Sequence, residues 1–313
     1  LMTLVFGGCE WHDPDDARNF VPATVDEDST LEALDLRDTR VHIRVDGDPD
    51  DPLVVVLHGG PGDDYRYVEP LLGEVDGWSL SDAHEVVTFD QRGSGLSRRH
   101  PAQEVSLAEY LADLEALIDH FAPGQPVILI GHSWGGMYAA MYMNAHPDRV
   151  AGAVLLEPGG LREDLNTDDT DFDYTSEWIS DWLWQRQLLT LDDHARADYL
   201  LNVGALSDFQ EQRNDEFSPW WRFGAVVKVE LVLGELLEDY DFTPHLRDVP
   251  VEVLLIAGAR TEDLGEAYQQ RHLEFFRDAS IAVVADAGHG DLTWSHVDDS
   301  LRLIRAYLER VER

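Results

Sequence analysis

Apolar and polar positions along the chain fall into two alternating rhythms. Residues 53–57 read Leu-Val-Val-Val-Leu with no polar interruption, as expected of a strand buried on both faces. Similar runs at 85–89, 127–130, 153–156, 251–257 and 281–285 predict further strands. The stretch from Arg40 to Val45 differs, because Val41, Ile43 and Val45 alternate with His42 and Arg44; it reads as a half-buried strand. Between the runs the period changes. Leu107, Tyr110, Leu111, Leu114, Leu117 and Ile118 share one helical face within 107–121. Further helices are expected from Trp134 to Ala145, from Gly265 to Arg277 and from Trp294 to Val311. Short strands alternating with amphipathic helices imply βαβ units, and so an α/β protein with a mostly parallel sheet flanked by helices.

One interval breaks the rhythm. From Glu157 to Val251 no buried strand is evident, and Trp178, Trp182, Trp184, Trp220 and Trp221 sit among helix-like polar stretches. This interval is expected to be a helical cap inserted between two sheet strands. The expected division is a core at 31–157 and 249–313, a cap at 158–248, and an N-terminal tail and linker at 1–30.

The length of 313 residues suffices for a large core, and no apolar run is long enough to span a bilayer. Charge is extreme, with 62 Asp and Glu against 23 Lys and Arg, a formal net charge of −39. Such a surface repels phosphate, so nucleic-acid binding is not expected. Lys228 is the only lysine. The acidity reads either as the solvated surface of a protein from a GC-rich genome or as adaptation to high salt, where screening relieves self-repulsion. A single cysteine, Cys9, excludes an intrachain disulfide. It follows an apolar stretch from Leu1 to Phe6 and two glycines, which resembles the end of a bacterial lipoprotein signal. Two expectations follow: an extracytoplasmic protein held to a membrane through a lipidated Cys9, or a cytoplasmic protein with a free thiol. Oligomeric state is not legible. No Cys/His ligand cluster calls for a metal, and no cofactor is expected.

Gly131-His132-Ser133-Trp134-Gly135 lies directly after a buried strand and directly before a helix. That is the context of a nucleophile elbow, in which a tight turn presents the serine hydroxyl and the helix N-terminus faces developing negative charge. Ser133 is the expected nucleophile. His58-Gly59-Gly60-Pro61-Gly62 follows another strand and can supply a second amide to an oxyanion. Gly60, helped by Gly59, and the Trp134 amide are the expected donors, with His58 holding the loop. His289, in Ala287-Gly288-His289-Gly290 after the last strand, is placed as the general base, while His132 should point inward.

These motifs, with Asp90-Gln91-Arg92-Gly93-Ser94-Gly95 between them, resemble the proline iminopeptidase family of α/β hydrolases over about residues 35 to 313. The resemblance implies the α/β-hydrolase fold, a Ser/Asp/His triad, an acyl-enzyme, no cofactor, a cap that shapes the site for a small molecule or short peptide, and a structural role for the Asp90 loop. Two positions depart from the pattern. The family acid lies three residues after the glycine that ends the strand following the cap, where this chain has Thr261, with Glu262 and Asp263 next. Glu157 instead ends the strand after the elbow helix, a place from which haloalkane dehalogenases look similar. Glu157 is the preferred acid and Asp263 the alternative. In the cap, Ser218-Pro219-Trp220-Trp221-Arg222 stands where the family has a glutamate that binds the substrate's amino terminus. Trp220, Trp221 and Arg222 are therefore expected substrate contacts, with Arg222 disfavouring an ammonium. The resemblance points to an aminopeptidase. The alternatives are an esterase or amidase on small hydrophobic acyl substrates, and a binding module that has kept the fold without catalysis.

Overall fold

The computed structural model describes residues 21–167, 193–199, 201–202, 221–232, 234, 236 and 240–312. Eight strands form one sheet: β1 (Ala33–Leu36), β2 (Thr39–Asp46), β3 (Leu53–Leu57), β4 (Glu85–Phe89), β5 (Val127–His132), β6 (Val150–Leu156), β7 (Val253–Gly258) and β8 (Ala279–Val284). Their spatial order is β1-β2-β4-β3-β5-β6-β7-β8. β1 and β2 pair antiparallel, as do β2 and β4, and every later pair is parallel.

The apolar runs explain why the parallel strands lie inside. Successive side chains of a strand point to opposite faces, so a run without polar positions needs cover on both. Val55, Leu129, Leu155 and Leu255 face one hydrophobic cluster, shared with helix α1 (Leu107–Phe121) and helix α2 (Trp134–Ala145). Val54, Ile128, Ile130, Val154 and Ile256 face the other, shared with residues 65–80 and the C-terminal helix Val297–Val311. The start of α1 is capped by Ser106, whose hydroxyl accepts from the Glu109 amide at 3.2 Å.

Three expectations change. β1 has no counterpart among the apolar runs; it is short and only partly buried. Residues 21–30 are not a free linker: Val25 is buried and its amide donates to the Leu96 carbonyl at 2.8 Å, while Arg98 pairs with Asp26 at 2.7 Å. The helix expected across Gly265 to Arg277 is broken into Glu266–Gln270 and a 3-10 turn Leu273–Phe275. There Gln269 is buried and donates to the Pro158 and Leu264 carbonyls, which ties the segment to the loop after β6.

Between β6 and β7 the described residues carry no strand of the sheet, and the segment expected to be a cap lies in part outside them. What is described of it is fastened to the core by two buried carboxylates. Asp198 accepts from Arg99 Nε at 2.8 Å, Arg222 Nε at 2.7 Å and the Ala225 amide at 2.9 Å. Asp64 accepts from the amides of Trp221 at 2.5 Å and Arg222 at 3.0 Å. No described helix is long and apolar enough to cross a membrane, and Cys9 lies outside the described residues.

Candidate active site

Only Ser133 separates β5 from α2, and the whole change of direction falls on it, at φ 56° and ψ −123°. A left-handed φ at a non-glycine residue costs of order 1–3 kcal/mol and persists only where the surroundings impose it. Here the Ser133 amide is held by the Leu156 carbonyl at 2.9 Å. The turn is tight enough to need glycine next to it. A Cβ on Gly131 would lie 2.2 Å from the Gly135 carbonyl oxygen. Gly131→Ala is therefore expected to lower stability by about 3 kcal/mol or more, read by urea unfolding; a loss under about 1 kcal/mol would show that the elbow can relax.

The glycine loop abuts this turn. A Cβ on Gly59 would lie 3.0 Å from Ser133 Cβ. His58 is buried and builds the loop: the Gln91 amide donates to its Nε2 at 3.1 Å, so Nδ1 carries the proton and donates to the Gly59 carbonyl at 2.9 Å. Burial pulls the His58 pKa down, consistent with a neutral ring. Gly60 takes φ +115° beside it. The Gly59 amide donates to the Tyr67 hydroxyl. That amide is spent within the protein, which corrects the expectation that it helps hold an oxyanion. Gly60 and Trp134, the first residue of α2, remain as candidate donors.

Glu157 follows β6 directly, with φ 42° turning its side chain back under the sheet edge, and it is fully buried. Its Oε1 accepts from the Gly258 amide at 2.7 Å. Its Oε2 accepts from Thr261 Oγ1 at 3.1 Å and lies 2.7 Å from His289 Nδ1. Desolvation raises the carboxyl pKa to about 7, against the Gly258 and Thr261 hydrogen bonds, which favour the charged form. A carboxylate accepts, so His289 holds its proton on Nδ1 and presents Nε2 as the basic nitrogen. Asp263, the alternative acid, is solvent-exposed on the turn after β7.

The loop that carries His289 is anchored by Asp291, which sequence reasoning passed over. Its carboxylate accepts from the Gly288 amide at 2.7 Å, Ser295 Oγ at 2.5 Å and Arg260 at 2.8 Å. An Asp two residues after a histidine is visible in sequence but not distinctive among so many acids. The Asp90 loop is structural, as the resemblance implied. Asp90 accepts from the Tyr65 and Leu96 amides, and Arg92 is buried against Asp113 at 2.6 Å and Asp38 at 2.5 Å. Among the described residues, Asp38, Glu109 and Asp113 are grouped closely enough to hold a cation. Arg92 and Arg37 already pair with all three carboxylates.

The expected cap contacts fare differently. Trp220 lies outside the described residues. Trp221 is half-buried and packs edge-on against Tyr65, with ring centroids 4.9 Å apart. Arg222 is buried, its guanidinium bonded to Asp198 at 2.7 Å and to the Pro22 carbonyl at 2.8 Å. This corrects the expectation of a substrate contact: a cation removed from water needs fixed partners, and Asp198 with Pro22 supplies them.

Comparison with known proteins follows the same lines. The sequence profile of the alpha/beta hydrolase fold matches residues 52–200. A thermophilic esterase from Thermogutta terrifontis superposes with a TM-score of 0.67 at 18% identity, covering 90% of this chain and all of that one. The fold is the α/β-hydrolase fold. In sequence the chain is similar to the proline iminopeptidase of Lactobacillus helveticus, 26% identical over 256 residues that cover 71% of this chain and 78% of the relative. It is also similar to epoxide hydrolase B of Mycobacterium tuberculosis, 36% identical over 126 residues, or 39% of this chain and 33% of that protein. The chain is a hydrolytic enzyme.

Proposed function

We propose that this hydrolase works through an acyl-enzyme on Ser133. His289 takes the serine proton through Nε2 and returns it to the leaving group, Glu157 holds the imidazole tautomer and stabilises the imidazolium, and the amides of Gly60 and Trp134 receive the oxyanion. The observation that carries this reading is the buried Glu157 carboxylate, 2.7 Å from His289 Nδ1, directly after the strand beside the strained elbow. A buried carboxylate with a histidine partner, beside a serine held at positive φ, is an arrangement with a cost that packing alone does not explain.

For the substrate, the reading is an aminopeptidase that releases N-terminal residues, as the similarity to proline iminopeptidases supports. A net charge of −39 favours substrates that arrive with a free ammonium. Since Arg222 is tied to Asp198, it does not stand in the way of that ammonium. The second reading is an esterase on small acyl groups, favoured by Arg222 standing where the iminopeptidase pattern has a glutamate. Purified protein assayed on a prolyl arylamide and on a short-chain aryl ester, each in low and high salt, separates the two. The expected result is cleavage of both, with the arylamide losing more kcat/KM as salt screens the attraction. Cleavage of the ester alone would remove the aminopeptidase reading and leave the acyl-enzyme.

A further inference from the structure

His132, the residue before the nucleophile, and Tyr67, just past the glycine loop, are both buried, and the mechanism above uses neither. They meet at the centre of the site. Tyr67 Oη lies 3.2 Å from His132 Nδ1 and receives the Gly59 amide. His132 Nε2 lies 2.9 Å from the main-chain carbonyl of His289, and the two imidazoles pack with centroids 4.5 Å apart.

The acceptors at each end decide the protons between them. The His289 carbonyl can only accept, so His132 Nε2 carries a hydrogen. In a neutral imidazole Nδ1 is then an acceptor, and the Tyr67 hydroxyl donates to it. The Tyr67 oxygen is left to accept from the Gly59 amide. Every hydrogen therefore points one way: from Gly59 to Tyr67, from Tyr67 to His132, and from His132 to the His289 carbonyl. Reversing any one link would set two donors or two acceptors face to face.

We propose that Tyr67 and His132 are positioning residues, a one-directional hydrogen-bonded strut that sets the loop bearing His289 against the loop bearing the oxyanion amides. The proposal rests on the acyl-enzyme reading for its effect on rate and on the geometry for its existence. Two loops from opposite ends of the chain must agree in position for Ser133, His289 and the Gly60 amide to act together, and misplacement by about 1 Å costs on the order of 10²-fold in rate. The strut is a direct polar path between them, and it passes through the residue that precedes the nucleophile. It also occupies the Gly59 amide, which leaves the Gly60 amide as the candidate oxyanion donor on this loop.

Two variants test it. Tyr67→Phe keeps the ring and removes the hydroxyl; His132→Gln keeps a donor toward the His289 carbonyl and loses the acceptor for Tyr67. Each is expected to lower kcat on an aryl ester by roughly 10- to 100-fold with KM changed by less than about threefold. The double variant is expected to be no worse than the poorer single, because both break one strut. Losses that multiply in the double variant, or a Tyr67→Phe enzyme within about twofold of wild type, would overturn the positioning role. A second measurement does not depend on turnover. Long-range nitrogen–proton NMR of histidine-labelled protein, with His132 assigned from its absence in His132→Gln, should show His132 protonated on Nε2 with an accepting Nδ1 that shifts in Tyr67→Phe. Protonation on Nδ1 would dismantle the strut whatever the kinetics. Should wild type show no Ser133-dependent turnover and no labelling by a fluorophosphonate, the acyl-enzyme reading and the rate effect both fall, and the tautomer alone decides whether the strut exists.

Discussion

Replacing Ser133 by alanine should abolish turnover on every substrate, by roughly 10⁴- to 10⁶-fold in kcat, because an acyl-enzyme has no second route once its nucleophile is gone. Alanine keeps the strained φ of 56°, so the fold should be undisturbed and the loss chemical. A companion variant separates strain from chemistry. Glycine adopts positive φ without penalty, so Ser133→Gly should be as inactive as Ser133→Ala yet more stable than it, by about 1 kcal/mol in urea unfolding. Activity of Ser133→Ala within about tenfold of wild type, checked against contamination by fluorophosphonate labelling, would remove Ser133 from the mechanism.

Glu157→Gln should cost roughly 10³- to 10⁴-fold in kcat/KM with little change of shape. The Gly258 amide and Thr261 hydroxyl both donate to this side chain. A glutamine would have its oxygen claimed by the Gly258 amide and place its amide nitrogen where Oε2 stands, facing Thr261 and His289, which favours the imidazole tautomer with its proton on the wrong nitrogen. Asp263→Asn, on the exposed turn, should leave kcat/KM within about twofold. The reverse pattern would reassign the acid.

The same carboxyl makes pH dependence a test. It must be ionised to hold the His289 Nδ1 proton, and burial raises its pKa to about 7. Activity should therefore fall as pH drops through about 7, with an apparent value that belongs to the Glu157–His289 pair. Thr261→Val removes one donor to the charged form and should move this acid limb upward by about one unit, while Thr261→Ser should restore it. Stability has the opposite sign. The folded pKa of about 7 lies above the ordinary 4.5, so the native state holds this proton more tightly. The contribution is fully favourable below 4.5 and is lost as pH rises through about 7. Glu157→Gln does not titrate, and should be more stable than wild type at pH 8 by at most about 3 kcal/mol, with the gain vanishing near pH 4.

Much of this site is legible in the amino-acid sequence because it is built from local signals. An uninterrupted apolar run demands a strand covered on both faces, and β3, β4 and β5 lie where those runs lie. Helix α2 occupies Trp134–Ala145 as its sequence predicts, since glycine spacing before it and His146-Pro147 after it set both ends. With strand and helix that close, Ser133 has to carry the turn. The late position of His289 follows from chain order on such a sheet.

The rest depends on partnership between residues far apart in the chain. Glu157 and Asp263 are equally carboxylates in sequence; only the pairing of β6 with β7 brings Gly258 and Thr261 over Glu157 and leaves Asp263 in water. Arg222 looks like a substrate contact until Asp198 and Pro22, distant in sequence, enclose it. Gly59 looks like an oxyanion donor until Tyr67 takes its amide. The segment 21–30 reads as linker because it shows neither strand nor helix periodicity, yet one buried valine and a backbone hydrogen bond to Leu96 suffice to hold it. In each case the physical reason is the same. Periodicity reports which face of an element is buried, whereas a buried polar group is settled by the one partner that satisfies it, and that partner is supplied by the fold.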